Sequence, residues 1–194
     1  MSMKVLVACE FSGIVRDAFI KKGHDAISCD LLPTESPGHH YQGDVLDIIN
    51  DGFDLMIAHP PCTYLSNAGA RFLYPKGILN QNRLRKAMLA KEFFMHLFEA
   101  LIEKICVENP VPSKIIGLPQ YDQIIQPYYF GDMVQKKTCL WLKNLPKLTY
   151  NTPPPKPQST TVPGSWYNKG GKDRQKNRAK TFQGIADAMA EQWG

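Results

Sequence analysis

Apolar residues along this chain come in short runs, broken by turn formers, and alternate with stretches of helical spacing. Residues 4–10, Lys-Val-Leu-Val-Ala-Cys-Glu, predict a first strand. Phe11-Ser12-Gly13 makes a turn, residues 14–22 predict a helix ending at Gly23, and residues 24–30 predict a second strand. A loop follows over 31–41, then a short helix over 46–50. Leu55 to Ala58 is a fully apolar run, as a strand buried on both faces requires. It stops at Pro60-Pro61, which cannot continue a ladder. A long loop over 63–79 precedes the longest helix, predicted over 80–104 with Leu84, Ala87, Met88, Phe94, Met95, Phe98, Leu101 and Ile102 on one stripe. Residues 105–107 predict a strand ending at Glu108-Asn109-Pro110, and 128–133 and 138–142 predict two more, an antiparallel pair. Residues 145–180 read as a Pro-rich and then basic extended segment, and 182–193 as a terminal amphipathic helix.

The β-α-β opening and the continuing alternation imply an α/β fold. The expectation is one domain over 1–194, with a mostly parallel Rossmann-like sheet and helices on both faces. The 194 residues allow a single core, and 43% hydrophobic residues exclude a disordered chain. No apolar run reaches the roughly 20 residues of a membrane helix, and no signal peptide precedes the first strand. The five cysteines form no Cys-x-x-Cys pair, so reduced thiols in a cytoplasmic setting are expected, with no disulfide framework and no metal site. The net charge is +5, and residues 168–180 alone hold six cations and one anion. Such a patch suits nucleic acid; the plain alternative is a solvated basic loop.

Candidate chemistry collects where the predicted strands end. Cys62 sits four residues beyond the buried strand, directly after the two prolines, where open α/β sheets place ligands and reactive groups. Its bland alternative is a small core residue. Glu108 stands at the next strand's end. Asp30, ending the second strand, suits a ribose hydroxyl or the capping of a loop. Asp44 could cap the short helix or touch an adenine amine. The adjacent His39-His40 pair points two ways and makes a poor metal site.

Asp-Leu-Met-Ile-Ala-His-Pro-Pro-Cys, ending at Cys62, and Glu108-Asn109 resemble the Pro-Cys and Glu-Asn-Val motifs of the cytosine-C5 DNA methyltransferases. The order of further motifs agrees over nearly the whole chain. Phe11-Ser12-Gly13, with Ile14, looks like that family's Phe-x-Gly turn, which binds S-adenosylmethionine. Asp30 and Asp44 resemble its acidic cofactor residues, with the backbone near His59 completing the pocket. Small members carry Pro-Pro-Cys-Thr and Lys-Lys-Thr-x-Leu-Trp-Leu, as this chain does at residues 136–142. The resemblance implies that Cys62 adds to C6 of cytosine while Glu108, keeping a proton near neutrality, holds the base. It implies S-adenosylmethionine as cofactor and DNA, single- or double-stranded, as partner; a monomer is expected. Departures exist. The arginines of the family's Gln-x-Arg-x-Arg motif are missing, and Lys137 is the candidate substitute. Pro110 replaces valine, and no target-recognition domain is present. Low or short sequence specificity is therefore expected, with Lys169, Lys172, Arg174, Lys176, Arg178 and Lys180 on phosphates. Two other readings stay open: an amino methyltransferase, whose Asp/Asn-Pro-Pro-aromatic motif differs from His59-Pro60-Pro61-Cys62 at each end, and a catalytically inactive nucleic-acid-binding protein.

Overall fold

Alternation along each central strand sends neighbouring side chains to opposite faces, and both faces are apolar, so the sheet needs cover on both sides. A computed structural model describes residues 1–150 and 174–194, with side chains for all of these except 174 and 175. The chain runs β1 (Lys4–Ala8), α1 (Ile14–Lys21), β2 (Asp25–Asp30), β3 (His40–Gln42), β4 (Leu55–Ala58), α2 (Asn67–Ala70), α3 (Gln81–Phe98), β5 (Lys104–Pro110), β6 (Gln123–Ile125), β7 (Thr138–Lys143), α4 (Arg174–Ala179) and α5 (Gln183–Trp193). One seven-stranded sheet has the order β3-β2-β1-β4-β5-β7-β6. β1 to β5 are parallel, and β7 runs antiparallel to both β5 and β6. This is a Rossmann-like α/β sheet, mostly parallel, with helices on both faces. Among the described residues no separate recognition domain stands beside it.

Val5, Val7, Leu55 and Ile57 pack under α1 and α5, against Phe19, Ile185, Met189 and Trp193. Leu6, Ala8, Met56, Ile105 and Val107 pack on the other face under α3, against Phe94 and Leu97. Each such side chain, fully withdrawn from water, contributes about 1.5–3 kcal/mol. Trp141 of β7 is fully buried on the α3 side, with its ring edge-on to Phe94 and its Nε1–H donated to the Pro119 carbonyl at 2.8 Å.

Several expected elements differ: the loop expected over 31–41 runs into β3 at His40, and the short helix expected over 46–50 is a single 3-10 turn, Val45–Asp47. The strand expected over 128–133 is a 3-10 turn, Pro127–Phe130, closed by Gly131 at φ 98°. Its aromatic run buries Tyr128 and stacks Tyr129 on Tyr150 instead of joining a ladder. The strand that pairs with β7 is the shorter Gln123–Ile125. The long helix ends at Phe98 and not at 104, because Lys104 already pairs with Leu55 in the β4–β5 ladder and the chain must turn before it. Leu101, placed on the helical stripe, is therefore 96% exposed, while Ala87, Phe94 and Leu97 make the buried contacts. The basic stretch from residue 174 is helical and not extended. Residues 151–164 of the Pro-rich segment, with Lys169 and Lys172, lie outside the described residues.

Candidate functional site

The parallel strands β1, β2, β4 and β5 bring their carboxyl ends to one edge, and the sequence-predicted residues gather there. At the end of β1, Cys9 adopts a left-handed φ of 59° and Gly13 one of 76°. A Cβ on Gly13 would meet the Arg16 guanidinium at 2.5 Å, so only glycine fits this turn. Glu10 is buried and turns back to accept hydrogen bonds from Val15 N–H (2.8 Å), Arg16 N–H (3.2 Å) and the Ser12 hydroxyl (3.1 Å). The N-terminus of α1 thus carries its own carboxylate. An anionic ligand group, which a free helix N-terminus favours, would find those N–H groups engaged.

Asp30 accepts the Leu32 N–H at 2.9 Å and Asp44 accepts the Leu46 N–H at 3.0 Å, so each carboxylate uses one oxygen to hold a turn. Both bear on Cys29, whose thiol is pushed up to about 12 by burial first and then by Asp30 and Asp44. Burial first, and then Asp30, also push up the Cys9 thiol. Phe11 is buried, with the Lys176 ammonium 5.2 Å from its ring centroid. Arg16, fully buried, donates to Ser28 Oγ and to the carbonyls of Ser36 and Pro37, pinning the loop after β2.

At the β4–β5 junction, Ala58 pairs with Val107, which sets His59 beside Glu108. His59 Nδ1 lies 3.0 Å from Glu108 Oε2. Both side chains are largely withdrawn from solvent, and His59 Nε2 has no hydrogen-bond partner among the described residues. Cys62 follows on the same edge, half-buried. Its carbonyl accepts the N–H groups of Leu65 and Ser66, which winds the chain into a tight turn behind the thiol. Ser66 bridges to Pro112 and Leu65 is fully buried, so the first part of the long loop is fixed to the segment after β5.

The charges here run opposite to those expected from sequence. Burial raises the Glu108 carboxyl, but the Lys136 ammonium and the hydrogen bonds from His59 and Thr138 outweigh it and hold it below the ordinary carboxylate range. Glu108 is therefore an ionised acceptor in the free protein, and His59 donates its Nδ1–H. Burial and the Glu108 charge raise the Cys62 thiol above the ordinary thiol range, with Lys136 and Arg178 offsetting part of the rise. Cys62 rests as a thiol at neutral pH.

Sequence reasoning named Lys137 as the candidate substitute for the missing arginines. The lysine whose charge bears on Glu108 and Cys62 is its neighbour Lys136, while the Lys137 charge bears on Cys139. Lys136 also reaches the Arg178 carbonyl at 3.3 Å, which ties α4 to the site. Lys176 and Lys180 are ion-paired with Glu35 at 2.9 and 2.6 Å, so two cations assigned to phosphate are already engaged. Arg174 begins α4, with its side chain outside the described residues. The pairing of His59 with Glu108 was open to inference from one signal only, the shared register of two parallel strand ends. Among the described residues, no group of three or more His, Cys, Asp or Glu side chains is placed to hold a metal ion, and no helix is long and apolar enough to cross a membrane.

No protein-family model matches the chain, and no curated protein matches its sequence. Solved structures do match. One is a protein described as a DNA modification methyltransferase encoded within an Escherichia coli prophage, at 16% identity and a TM-score of 0.43, covering 73% of this chain and 46% of its own. Another is a mutant DNMT2 of Spodoptera frugiperda, at 16% identity and a TM-score of 0.44, covering 89% of this chain and 60% of its own. The chain thus spans about half to three fifths of their length, and the likeness is one of chain course alone.

Proposed function

We propose that this chain is an S-adenosylmethionine-dependent DNA methyltransferase that methylates C5 of cytosine through a covalent adduct on Cys62, with low or short sequence specificity. One observation carries this most directly: a thiol and a carboxylate share one strand-end site, close enough that the Glu108 charge raises Cys62, with the Lys136 cation acting on both. An amino methyltransferase has no use for the thiol.

The cofactor end fits the same reading. Glu10 occupies the N–H groups that would seat a phosphate, so a phosphate-bearing dinucleotide is disfavoured. S-adenosylmethionine has no phosphate, carries ribose hydroxyls, and suits the acidic pair Asp30 and Asp44. Phe11, Ser12, Gly13 and Ile14, with those carboxylates and the backbone at His59, would hold it. When bound, it supplies an electrophilic methyl group.

The chain's own residues do the rest. Cys62 gives up its proton and its sulfur bonds to C6 of the cytosine. Glu108 gains a proton and donates it at N3, which draws charge off the ring and leaves C5 nucleophilic. The free-protein states make these two changes complementary: the proton that Sγ must lose is one that the carboxylate must gain. Protonating Glu108 also removes the nearest negative charge opposing the thiolate. His59 orients the carboxylate through Nδ1. After methylation the C5 proton leaves to a base, the C6–S bond breaks with its electron pair returning to Cys62, and the N3 proton passes back through Glu108 to the thiolate. The target base must be unpaired or flipped for the thiol to reach C6.

Nucleoside mass spectrometry after incubation with DNA and S-adenosylmethionine should find 5-methylcytosine. Methyl on an exocyclic nitrogen, or none at all, contradicts the proposal. The cofactor assignment has its own test in calorimetry. Asp30→Asn keeps the oxygen that holds the Leu32 N–H but removes the charge, and should weaken S-adenosylmethionine about tenfold, the scale of a charge-assisted hydrogen bond. Asp30→Ala should weaken it at least as much. Normal binding by Asp30→Asn leaves Asp30 as the anchor of a turn only.

A further inference from the structure

From Leu55 to Lys91 the chain contains no aspartate or glutamate, yet it carries Arg71, Lys76, Arg83, Arg85, Lys86 and Lys91. Among the described residues none of the six has a carboxylate within salt-bridge distance, in contrast to Lys176 and Lys180. This stretch begins at the strand leading to Cys62 and continues into α3, and its Arg83 and Lys86 reach the ring of Tyr64, two residues from Cys62.

Aromatic rings are interleaved with these cations. The Arg83 guanidinium lies 5.0 Å from the Tyr64 centroid and 5.2 Å from that of Phe72, and Arg71 lies 4.7 Å from Phe72. Lys86 is 6.0 Å from Tyr64. Arg83 also donates to the Thr63 carbonyl at 3.0 Å, and its own N–H is capped by Asn80. The loop after Cys62 and the first turn of α3 are thereby joined into one surface. Phe72 remains 50% exposed and Tyr74 45%. These cation–π pairs hold the loop after Cys62 against α3. They leave the like charges uncompensated and the rings half in water.

We propose that this surface binds single-stranded nucleic acid, with bases stacking on Tyr64, Phe72 and the Arg83 plane and phosphates meeting Arg85 and Lys86. Charge alone would accept any polyanion. The half-exposed Phe72 ring, with the partly buried Tyr64 and Arg83 beside it, adds a preference for unpaired bases, because the faces of bases inside a duplex are already stacked. The strand's position also rests on the reading of Cys62 as a base-directed nucleophile: Tyr64 is two residues from the thiol, so a strand on this surface passes it with its bases unpaired. The substrate is then an already single-stranded or locally opened strand, which spares the protein the cost of extruding a base.

Fluorescence anisotropy with a labelled single-stranded oligonucleotide, the same sequence as duplex, and heparin as competitor tests the surface without requiring any methylation. The single strand should bind at least fivefold tighter than the duplex. Phe72→Ala should weaken it roughly tenfold while leaving the salt dependence unchanged, and Phe72→Leu, which keeps the apolar bulk, should lose nearly as much. Replacing Arg85 and Lys86 together with glutamine should reduce the slope of log affinity against log salt by about 1.4, two single-strand phosphates. Duplex binding equal to single-strand binding, or unchanged affinity in both Phe72 variants, overturns the inference. The outcomes separate from those of the proposed activity: single-strand binding with no methylation sinks the enzyme and keeps the surface, and methylation with unaffected Phe72 variants does the reverse.

Discussion

Cys62→Ala is expected to abolish methylation while leaving S-adenosylmethionine affinity within about twofold, because the thiol acts on the base and takes no part in the cofactor pocket. Cys62→Ser should be almost as inactive. A hydroxyl is far less ionised than a thiol, and the surroundings that raise the Cys62 thiol oppose an oxyanion in the same way. The side chain is half-buried and its backbone turn is held by its own carbonyl, so neither change should disturb the fold. Single-turnover methylation beside calorimetric cofactor titration measures both halves. Near-normal turnover in Cys62→Ala would mean that the methyl goes to an atom needing no nucleophile.

Glu108→Gln should move two observables in opposite directions. Methylation should fall by roughly 10²–10⁴, since the amide cannot deliver a proton to N3. Alkylation of Cys62 by iodoacetamide should become faster at any pH near neutrality. The carboxylate charge is one of the two causes that raise the thiol, and a neutral amide removes it, so the thiolate fraction rises. The sign follows for the unaltered protein too. With Cys62 above the ordinary thiol range, its alkylation should keep climbing as pH rises through neutrality and past that range, whereas in Glu108→Gln the midpoint shifts down. Slower methylation without faster alkylation would mean that the Glu108 charge does not bear on the thiol. Peptide mapping assigns the label, because Cys29, Cys106 and Cys139 are buried and Cys9 is raised by burial and by Asp30.

The parts of the fold legible in the sequence were those decided locally. Leu55 to Ala58 is buried on both faces, so its apolar run carries a strand signal and the prolines carry its end. The β1–α1–β2 opening was readable from its turn residues. What failed was decided elsewhere in the chain. Tyr128, Tyr129 and Phe130 have the composition of a strand, but Pro127 and Gly131 fold them into a turn, and a three-residue segment upstream takes the ladder position. The end of α3 is fixed by the pairing of Lys104 with Leu55 across the sheet, which no helix-stop residue announces.

The candidate site divides in the same way. Cys62 and Glu108 could be placed at one sheet edge because each follows or ends a parallel strand. Their protonation could not, because it depends on which of two adjacent lysines faces them and on a histidine 49 residues from its carboxylate partner. The charged segment near residue 174 drew attention through its density, although two of its lysines are held by Glu35. The acid-free stretch around Arg83 is more dilute, and its aromatic partners come together only when the loop folds against α3.

Covalent capture on DNA containing 5-fluorocytosine, in the presence of S-adenosylmethionine, tests the central claim most directly. Fluorine at C5 cannot leave as a proton does, so an enzyme that adds through C6 becomes trapped after methyl transfer. The account predicts a stable protein–DNA adduct, absent in Cys62→Ala, whose digestion yields the Cys62 peptide carrying the modified base. Methylation of ordinary cytosine DNA with no adduct on the fluorinated strand, or an adduct mapped to another cysteine, would contradict it.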